Sequence, residues 1–560
     1  MIGHRSPISG IAAHGGRLVA TAGYDNQVIL WDALHHRPVA RSVHDHLANQ
    51  VAFSPDGRWL VSASSDHSAR VWSVPDLKLH AVLAQHRDDV EMAVFHPHRD
   101  SVATASRDGS VRVFDACGAL RMQFDGHGAD VISVAWSHDG RHLLSSSDDG
   151  TVKRWSLDSG SLVDDIDLGG VETDTIAIGG DGVIYAGNDA GAIVTIDGAE
   201  IRSHAGHAAG IKRLVHHPAA GLLVSLSYDR TLRIWSTAGG GLTGRATATL
   251  PPEVWPRACA FVDAERLAFA TFGSTYALHA VGTSGWDLAA VRPTPGINAL
   301  ALHQGRRVTV GDSGRVRIDG QEATGLGSLC NFLVSVGPRL LTGGQAGVLM
   351  DALTGEALLR HRSPLNCAAA FLRDGIPHAV VGTYTGEGLV VAVAADGAVR
   401  RVATLALHAN AVKSLAAAGR QLFSVCADTS AAWFGALDFS ELARVPRAHD
   451  RIANGCAAWR DGRFASVGRD RRLRLWDGPR ATVVETPHLH SIKCLAASSD
   501  GQLLASGCYG GRVAVYDLVR SEWTRVERPT VAGISSVVVE DARHRVVAAS
   551  YDGQVYDIAL

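Results

Sequence analysis

Cysteine is sparse in this 560-residue sequence, and its eight residues are scattered singly with no CxxC pair. A small secreted domain stapled by disulfides would need dense cysteines, and a zinc ribbon would need CxxC pairs. Both classes are therefore excluded. We expect reduced thiols that are mostly buried.

Long apolar runs are missing as well. No stretch approaches about 18 uninterrupted apolar residues, and the opening MIGHRSPISG lacks the basic region, apolar run and cleavage site of a signal peptide. The sequence thus predicts no membrane span, and we expect a soluble, cytoplasmic protein.

An excess of positive charge is also absent, since 53 Lys and Arg residues stand against 56 Asp and Glu residues. Nucleic-acid binding normally requires a strongly basic footprint, so DNA and RNA are excluded as expected partners. Few of the cations are lysine, and the abundance of Ala, Gly and Arg indicates a GC-rich bacterial genome.

Motifs of the common catalytic centres do not occur. The sequence has no GxSxG elbow, no P-loop, no GxGxxG at a strand-to-helix junction and no HExxH. No reaction class is indicated, and we predict no catalytic residue, no cofactor and no resident metal.

A repeat of about 40 residues is what the sequence does contain. Each unit has a turn followed by a strand with alternating apolar residues, as in SRDGSVRVFD (106–115), and D-G or D-N supplies the hairpin turn. Upstream, VAFSPDGRWLVSAS (51–64) holds two more strands around a tight turn, and LKLHAVL (77–83) adds a fourth. Four short antiparallel strands per repeat are typical of a β-propeller blade.

The repeats resemble the WD40 family, whose blades carry a hydrogen-bonded tetrad in the order His, Ser or Thr, Asp, Trp. Separations of 21 or 22 residues from His to Asp, and of six from Asp to the aromatic residue, recur in six units. The resemblance implies structural histidines, because a paired tetrad avoids unpaired buried polar groups that cost about 1–3 kcal/mol each. The sets are His4, Thr21, Asp25 and Trp31; His44, Ser62, Asp66 and Trp72; His86, Thr104 and Asp108 with Phe114 in place of Trp; His127, Ser145, Asp149 and Trp155; His207, Ser225, Asp229 and Trp235; and His449, Ser466, Asp470 and Trp476.

Degenerate repeats at the same spacing bring the total to fourteen. Because seven blades is the usual closure of the WD40 family, we predict an all-β fold of two tandem seven-bladed propellers with four-stranded blades, at 1–290 and 291–560. The expected joint is 282–296, and 237–258 is a second irregular stretch that competes with it. The last repeat stops after its third strand, which leaves open a three-stranded final blade or strands exchanged between the rings.

Three histidine pairs with one residue between them suggest a metal-site hypothesis, because both imidazoles of such a pair on a strand share a face. The repeat favours structural roles, since two of the pairs include or adjoin tetrad positions and FHPHRD (95–100) matches the turn in FSPDGR (53–58). We predict no metal ligand among them. The pairs are His44 and His46, His96 and His98, and His488 and His490.

The residue just before each tetrad Asp is predicted to lie on a rim of loops that a rigid frame holds in place, where binding surfaces concentrate. Tyr and Arg at such positions are typical of interface hot spots. The predicted partner-binding residues are Tyr24, Ser65, Arg107, Asp148, Asn188 and Tyr228 in the first ring, and Arg469 and Tyr551 in the second.

The most favoured function is an interaction scaffold that binds other proteins. The opening MIGHRSPISGIAAHGGRLVATAGYDNQVILWD (1–32) also resembles the WD-repeat component of bacterial toxoflavin (azapteridine) biosynthesis clusters, which implies biosynthetic enzymes as partners. Two alternatives stay open. One is an enzyme of that secondary metabolism with Fe, Cu, Zn or a small substrate on a His-rich propeller face, and the other is a bacterial signalling or conflict-system scaffold. An unexpected activity would lie in the degenerate blades within 260–440.

Overall fold

The computed structural model of the chain describes residues 2–238 and 241–560. It divides into two compact units, Met1–Thr294 and Pro295–Leu560. Short antiparallel strands dominate both, with 3₁₀ turns at Pro218–Ala220 and Asp541–Arg543. In the described part of the chain, no helix is long and apolar enough to cross a membrane.

The first unit contains seven four-stranded sheets, here called blades 1 to 7, and the strands of each blade are consecutive in the sequence. The strands are Ile8–His14 (β1), Leu18–Gly23 (β2), Gln27–Asp32 (β3) and Arg37–Val43 (β4); Ala48–Phe53 (β5), Trp59–Ser64 (β6), Ala69–Ser73 (β7) and Leu79–Leu83 (β8); Val90–Phe95 (β9), Ser101–Ser106 (β10), Ser110–Asp115 (β11) and Leu120–Asp125 (β12); Val131–Trp136 (β13), His142–Ser147 (β14), Thr151–Ser156 (β15) and Leu162–Asp167 (β16); Thr173–Ile178 (β17), Ile184–Asn188 (β18), Ala192–Asp197 (β19) and Glu200–Ala205 (β20); Ile211–His217 (β21), Leu222–Ser227 (β22), Thr231–Ser236 (β23) and Thr243–Thr249 (β24); and Val254–Phe261 (β25), Arg266–Thr271 (β26), Ala277–Ala280 (β27) and Trp286–Asp287 (β28).

The second unit contains blades 8 to 14, of which the last has three strands within the described residues. The strands are Ile297–His303 (β29), Arg306–Gly311 (β30), Arg315–Ile318 (β31) and Gln321–Gly325 (β32); Cys330–Val336 (β33), Arg339–Gly344 (β34), Val348–Asp351 (β35) and Ala357–Arg360 (β36); Leu365–Arg373 (β37), Ile376–Thr383 (β38), Glu387–Val393 (β39) and Val399–Ala406 (β40); Val412–Ala418 (β41), Gln421–Cys426 (β42), Ala431–Gly435 (β43) and Glu441–Val445 (β44); Ala453–Arg460 (β45), Arg463–Gly468 (β46), Arg472–Asp477 (β47) and Arg480–Glu485 (β48); Ile492–Ala497 (β49), Leu503–Cys508 (β50), Val513–Asp517 (β51) and Glu522–Glu527 (β52); and Ile534–Glu540 (β53), Arg545–Ser550 (β54) and Val555–Ala559 (β55).

Burial explains why these segments are strands in this order. The second strand of a blade, such as β6 (WLVSAS), is buried at nearly every position because neighbouring blades cover both its faces. The fourth strand, such as β4 (RPVARSV), alternates between exposed and partly buried residues, as expected for an outer strand with one solvated face. Its buried face completes the apolar layer between blades.

Each unit closes on itself as a ring. The first strands of successive blades pack side by side, and β1 of blade 1 packs against β25 of blade 7. In the second unit β29 likewise packs against β53. The fold is therefore two seven-bladed propellers in tandem along the sequence, as predicted, and the final blade has the three strands that the sequence left open as one alternative.

Two segments that we expected to be irregular contribute strands. The segment 282–296 contains β28, which pairs with β27 and completes blade 7. The segment 237–258 contains β24 and the start of β25, so it belongs to two regular blades. The sequence analysis missed these strands because both segments contain glycine and proline. A short outer strand can also pair without a clear alternation of apolar residues, so no apolar pattern indicated a strand.

Candidate functional site

The predicted tetrads form continuous chains of hydrogen bonds. In blade 1, His4 Nδ1 donates to Asp25 at 2.9 Å, the Thr21 hydroxyl bonds His4 Nε2 at 2.7 Å, and Trp31 Nε1 donates to the same hydroxyl at 2.8 Å. The five other sets repeat the His–Asp bond at 2.9–3.1 Å and the His–hydroxyl bond at 2.6–2.8 Å. Phe114 of blade 3 has no donor, so that set stops at the hydroxyl.

Each tetrad fixes two loops at the same end of its blade. His lies in the connection into the first strand, and Asp lies in the turn between the second and third strands. In blade 6, burial alone would raise the pKa of Asp229, but hydrogen bonds from His207 and Thr231 hold it at about 2. The charged carboxylate therefore ties both loops together at neutral pH. We call this end of a ring its mouth.

A shared backbone hydrogen bond defines the rim of each mouth. In all fourteen blades, the residue before the tetrad-Asp position donates its N–H to a carbonyl of the connection into the first strand, at 2.8–3.3 Å. Seven of the eight predicted rim residues occupy this position. The full set is Tyr24, Ser65, Arg107, Asp148, Asp189, Tyr228 and Phe272 in the first ring, and Asp312, Gln345, Tyr384, Ala427, Arg469, Tyr509 and Tyr551 in the second.

Asn188 was assigned to the rim wrongly. It is the last, buried residue of β18, and its Oδ1 accepts a hydrogen bond from Ala192 N at 2.9 Å. In twelve other blades the left-handed residue comes two positions after the rim residue, as Arg230 with φ +66° follows Tyr228, and here the left-handed residue is Gly191 at φ +82°. The turn of blade 5 therefore lies one residue later than the sequence GND (187–189) suggests, and Asp189 occupies the rim position.

A second layer of polar residues comes from bulges in the innermost strands. The pairing of β9, β17 and β21 with the next strand skips one residue near the strand start, and these residues are Glu91, Asp174 and Lys212. An extra unpaired residue at a bulge redirects a side chain, here toward the rim residues. The sequence pattern gave no sign of this layer, because a bulge depends on the partner strand.

Ion pairs connect the two layers. Arg107 donates to Glu91 at 2.5 Å and to Asp130 at 2.7 Å, and Arg257 also reaches Glu91, at 3.1 Å. Only 7% of Arg107 is exposed, so its charge holds blades together instead of facing a partner. Three different blades contribute to this one network.

Lys212 anchors the other side of the mouth. Its ammonium group contacts the carboxylates of both Asp174 and Asp189 and lies 5.1 Å from the centre of the Tyr228 ring. An aromatic wall continues from there, because Tyr24 meets Trp255 edge-on with ring centres 5.3 Å apart. Aromatic faces beside ionic groups are suited to cationic side chains.

Carboxyl groups outnumber cations in this mouth. Burial and the neighbouring Asp174 and Asp130 raise the pKa of Asp148 well above its usual value. Burial, Asp189 and Asp174 raise the pKa of Glu172 to about 8, and burial raises that of Asp174 to about 6 despite Lys212. Some of the negative charge is therefore masked by bound protons near neutral pH, which is a property of many binding sites.

We expect Glu172→Gln to stabilise the first ring at high pH. The unfolded chain releases the Glu172 proton near pH 4.5, whereas the folded chain keeps it to about pH 8, so the wild type loses stability as pH rises through that window. Glutamine removes the cost of ionisation. Melting at pH 9 should rise by several degrees, at about 2–4 °C per kcal/mol, with no gain at pH 4. Glu200→Gln on the exposed outer strand of the same blade is the control; equal gains at both pH values would contradict the prediction.

The second ring has a different mouth. At four of its bulges the residue is asparagine, whose side-chain amide donates to a carbonyl of the next blade, as Asn298 does to Cys330 at 3.1 Å and Asn366 to Val412 at 2.7 Å. Lysine occupies two others, Lys413 and Lys493. The carboxylate-rich layer is thus a property of the first ring.

Comparison with known protein families agrees with the blades and tetrads described above. The family described as "WD domain, G-beta repeat" matches six segments: 1–32, 38–73, 77–115, 118–156, 198–236 and 481–517. Five of them coincide with blades whose tetrads are complete or lack only Trp. The chain thus contains WD40 repeats.

Several curated proteins are similar to part of the chain. It is 24% identical to the transcriptional corepressor LEUNIG_HOMOLOG of Arabidopsis thaliana over 277 residues, 40% of this chain and 34% of that protein. It is 30% identical to transcription initiation factor TFIID subunit 5 of Caenorhabditis elegans over 158 residues, 28% of this chain and 24% of that protein. It is 28% identical to the target of rapamycin complex subunit wat1 of Schizosaccharomyces pombe over 235 residues, 39% of this chain and 74% of that protein. The chain thus spans about a third or less of the first two.

One partial WD40 tetrad escaped sequence analysis. In blade 11, His408 Nε2 bonds the Ser424 hydroxyl at 2.8 Å, and Asp428 and Phe434 complete the positions. The spacing of Ser424, Asp428 and Phe434 equals that of the blade 3 tetrad and could have revealed it. The His-to-Asp separation of 20 instead of 21 or 22 concealed it.

Four of the six paired histidines, His44, His96, His98 and His488, have backbone or tetrad partners. His96 lies 3.0 Å from the Gly140 carbonyl and accepts from the N–H of His98, and His98 bonds the His138 carbonyl at 2.8 Å. His488 bonds the Ser506 hydroxyl at 2.8 Å, as a tetrad histidine does. In the described ranges 2–238 and 241–560, the metal-ligating residues that cluster in threes lie elsewhere, at His408, Cys426 and Asp428 and at His67, Asp88 and Asp89.

Proposed function

We propose that this WD40-repeat protein is an interaction scaffold that binds a partner protein at the mouth of its first ring. The charged two-layer mouth is the observation that supports this proposal most directly. Among the relatives, one is named a TFIID subunit and another a subunit of the target of rapamycin complex, so both are named as parts of assemblies. Scaffolding through rigid loops is consistent with those names.

The chemistry of the mouth favours a partner that presents lysine or arginine. The six carboxyl groups outnumber the three cations, and a basic side chain could displace the protons held there. Tyr24 and Trp255 would contact its aliphatic stem or its charge. The six are Glu91, Asp130, Asp148, Glu172, Asp174 and Asp189, and the three are Arg107, Lys212 and Arg257.

A photo-crosslinking amino acid at Tyr24 identifies the partner, and its affinity is then measured by titration. We expect Asp148→Lys to weaken binding at least tenfold, because the new ammonium group occupies the mouth and repels a basic side chain. Glu200→Lys makes the same charge change on an exposed outer strand and should leave affinity unchanged. Equal effects of the two variants, or equal capture from position 200, would place the binding surface outside the mouth.

The finer proposal is that the partners are enzymes of bacterial toxoflavin biosynthesis in the cytoplasm. The resemblance of residues 1–32 to the WD-repeat component of those clusters supports it, as does the low lysine content. The measurement is reconstitution: a purified pyrimidine-converting enzyme of such a cluster should bind the wild type and bind Asp148→Lys more weakly. No binding to any enzyme of the cluster would remove this context and leave the scaffold proposal standing.

A further inference from the structure

In the tetrad of blade 11, the carboxylate does not hydrogen-bond the histidine. The Asp428 Oδ2 atom lies 3.9 Å from His408 Nδ1, whereas the corresponding pairs in the six predicted sets lie 2.9–3.1 Å apart. The Ser430 hydroxyl bridges the two side chains instead, since it lies 2.7 Å from His408 Nδ1 and 2.5 Å from Asp428 Oδ1. The Asp428 carboxylate is therefore close to the imidazole but not bonded to it.

A buried thiol adjoins this carboxylate. Cys426 lies two residues before Asp428, where four blades of the first ring have serine at Ser64, Ser106, Ser147 and Ser227. Cys426 is fully buried, and its thiol hydrogen-bonds the Asp428 side chain. One ligand atom each from His408, Cys426 and Asp428 lies within 4.8 Å of the other two. Imidazole nitrogen, sulfur and carboxylate oxygen are the three ligand types of protein zinc sites.

Arginine neutralises the tetrad carboxylate in other blades but not here. In blade 12, Arg474 contacts both His449 and Asp470, and the second of these contacts is 2.5 Å. In blade 11, Arg444 donates to Glu441 at 3.0 Å and to the Leu407 carbonyl at 2.9 Å. Arg444 Nη1 lies 3.4 Å from His408 Nδ1, and the Arg444 charge is offset by Glu441.

We propose that His408, Cys426 and Asp428 bind one zinc ion. Zinc–ligand bonds of about 2.0–2.3 Å place tetrahedral ligand atoms about 3.3–3.7 Å apart, so ligand atoms that lie within 4.8 Å of one another must approach by roughly 1–1.5 Å at most. Asp428 can make this movement, because its side chain is 21% exposed and accepts hydrogen bonds from Ser430, which is only two residues away in the sequence. The Ser430 hydroxyl or a water molecule completes the site. On binding, the Cys426 thiol releases one proton to solvent, and its sulfur forms the bond to zinc.

Blade 13 provides an internal comparison, because it has the same histidine and thiol, His488 and Cys508, with Gly510 at the tetrad-Asp position. The missing carboxylate leaves that blade one ligand short.

Cobalt titration of the full chain after treatment with a chelator tests the site. A thiolate ligand gives Co²⁺ a charge-transfer absorption in the near ultraviolet, which separates this site from adventitious binding to the other histidines. We expect one equivalent of this absorption, and its loss when zinc is added. Cys426→Ser should abolish it, and Asp428→Asn should weaken metal binding at least tenfold. Cys508→Ser should change nothing.

The Cys426→Ser variant is expected to fold, since four blades of the first ring have serine at the corresponding position. Its melting temperature without metal therefore checks that the fold is intact. Absence of the charge-transfer absorption in the wild type, or its persistence in Cys426→Ser, would overturn the proposal. Loss of the absorption in Cys508→Ser would instead place the metal in blade 13 and equally contradict it.

Discussion

Replacing Lys212 with methionine should destabilise the first ring by about 3–5 kcal/mol at pH 8. Methionine keeps the apolar stem but removes the ammonium group that contacts Asp174 and Asp189, and the Lys212 side chain is only 15% exposed. Two partly buried carboxylates would then face each other without a counter-charge. Breaking one side of such a network is costly because the remaining charge stays desolvated. Chemical denaturation of the full chain measures the loss.

Lower pH should restore part of that stability. Without Lys212, protonation of Asp174 and Glu172 is the way for the folded mouth to lose charge, so the loss at pH 5 should be clearly smaller than at pH 8. Lys153→Met in blade 4 is the matched control. Lys153 is also buried, but its partner Asp165 is 50% exposed and can be solvated when left alone, so we expect a loss of about 1 kcal/mol or less. Equal losses in the two variants would show that the mouth does not depend on Lys212.

The frame of this protein could be predicted from its sequence because the repeat fixes distances along the chain. The constant spacing from Ser145 through Asp149 to Trp155 places Ser145 and Trp155 on the two strands of one hairpin and Asp149 in its turn, so the bond from Trp155 to Ser145 follows from the strand geometry. Turn glycines and alternating apolar residues supply the rest. Blades without a tetrad were predicted from spacing alone.

The mouth could be predicted only in part. The rim position follows from the tetrad Asp, and the sequence analysis therefore found Tyr24, Arg107 and Tyr228. It missed Glu91 and Lys212, because the bulges that direct them inward depend on which residue the neighbouring strand pairs with. Long-range pairing of this kind leaves no local pattern.

Asn188 shows a second limit. GND at 187–189 has the same form as GYD at 23–25, but the glycine that permits the left-handed turn comes two residues after Asp189 instead of one. The position of Gly191 was the better guide, because the left-handed conformation constrains the backbone more strongly than the identity of a polar residue does.

Blades 8 and 9 replace the tetrad with close backbone packing. At the end of their second strands they have Gly311 and Gly344, where four blades of the first ring have serine. A Cβ atom at either glycine would lie 1.9 Å from a carbonyl oxygen of the connection into the first strand, Gly296 or Leu329. The connection that a histidine holds elsewhere is here packed directly against the bare strand end.

Gly344→Ser should therefore destabilise the second ring by about 3 kcal/mol or more, although serine is the usual residue at this position in the first ring. The added Cβ would also lie 2.8 Å from Cys330 Cα, so backbone and not a flexible side chain must move. Gly325→Ser is the control, because a Cβ at Gly325 would meet no atom within 4 Å. Chemical denaturation compares the two variants. If Gly344→Ser matches the wild type, the connection before blade 9 is free to shift and the close packing has no role in stability.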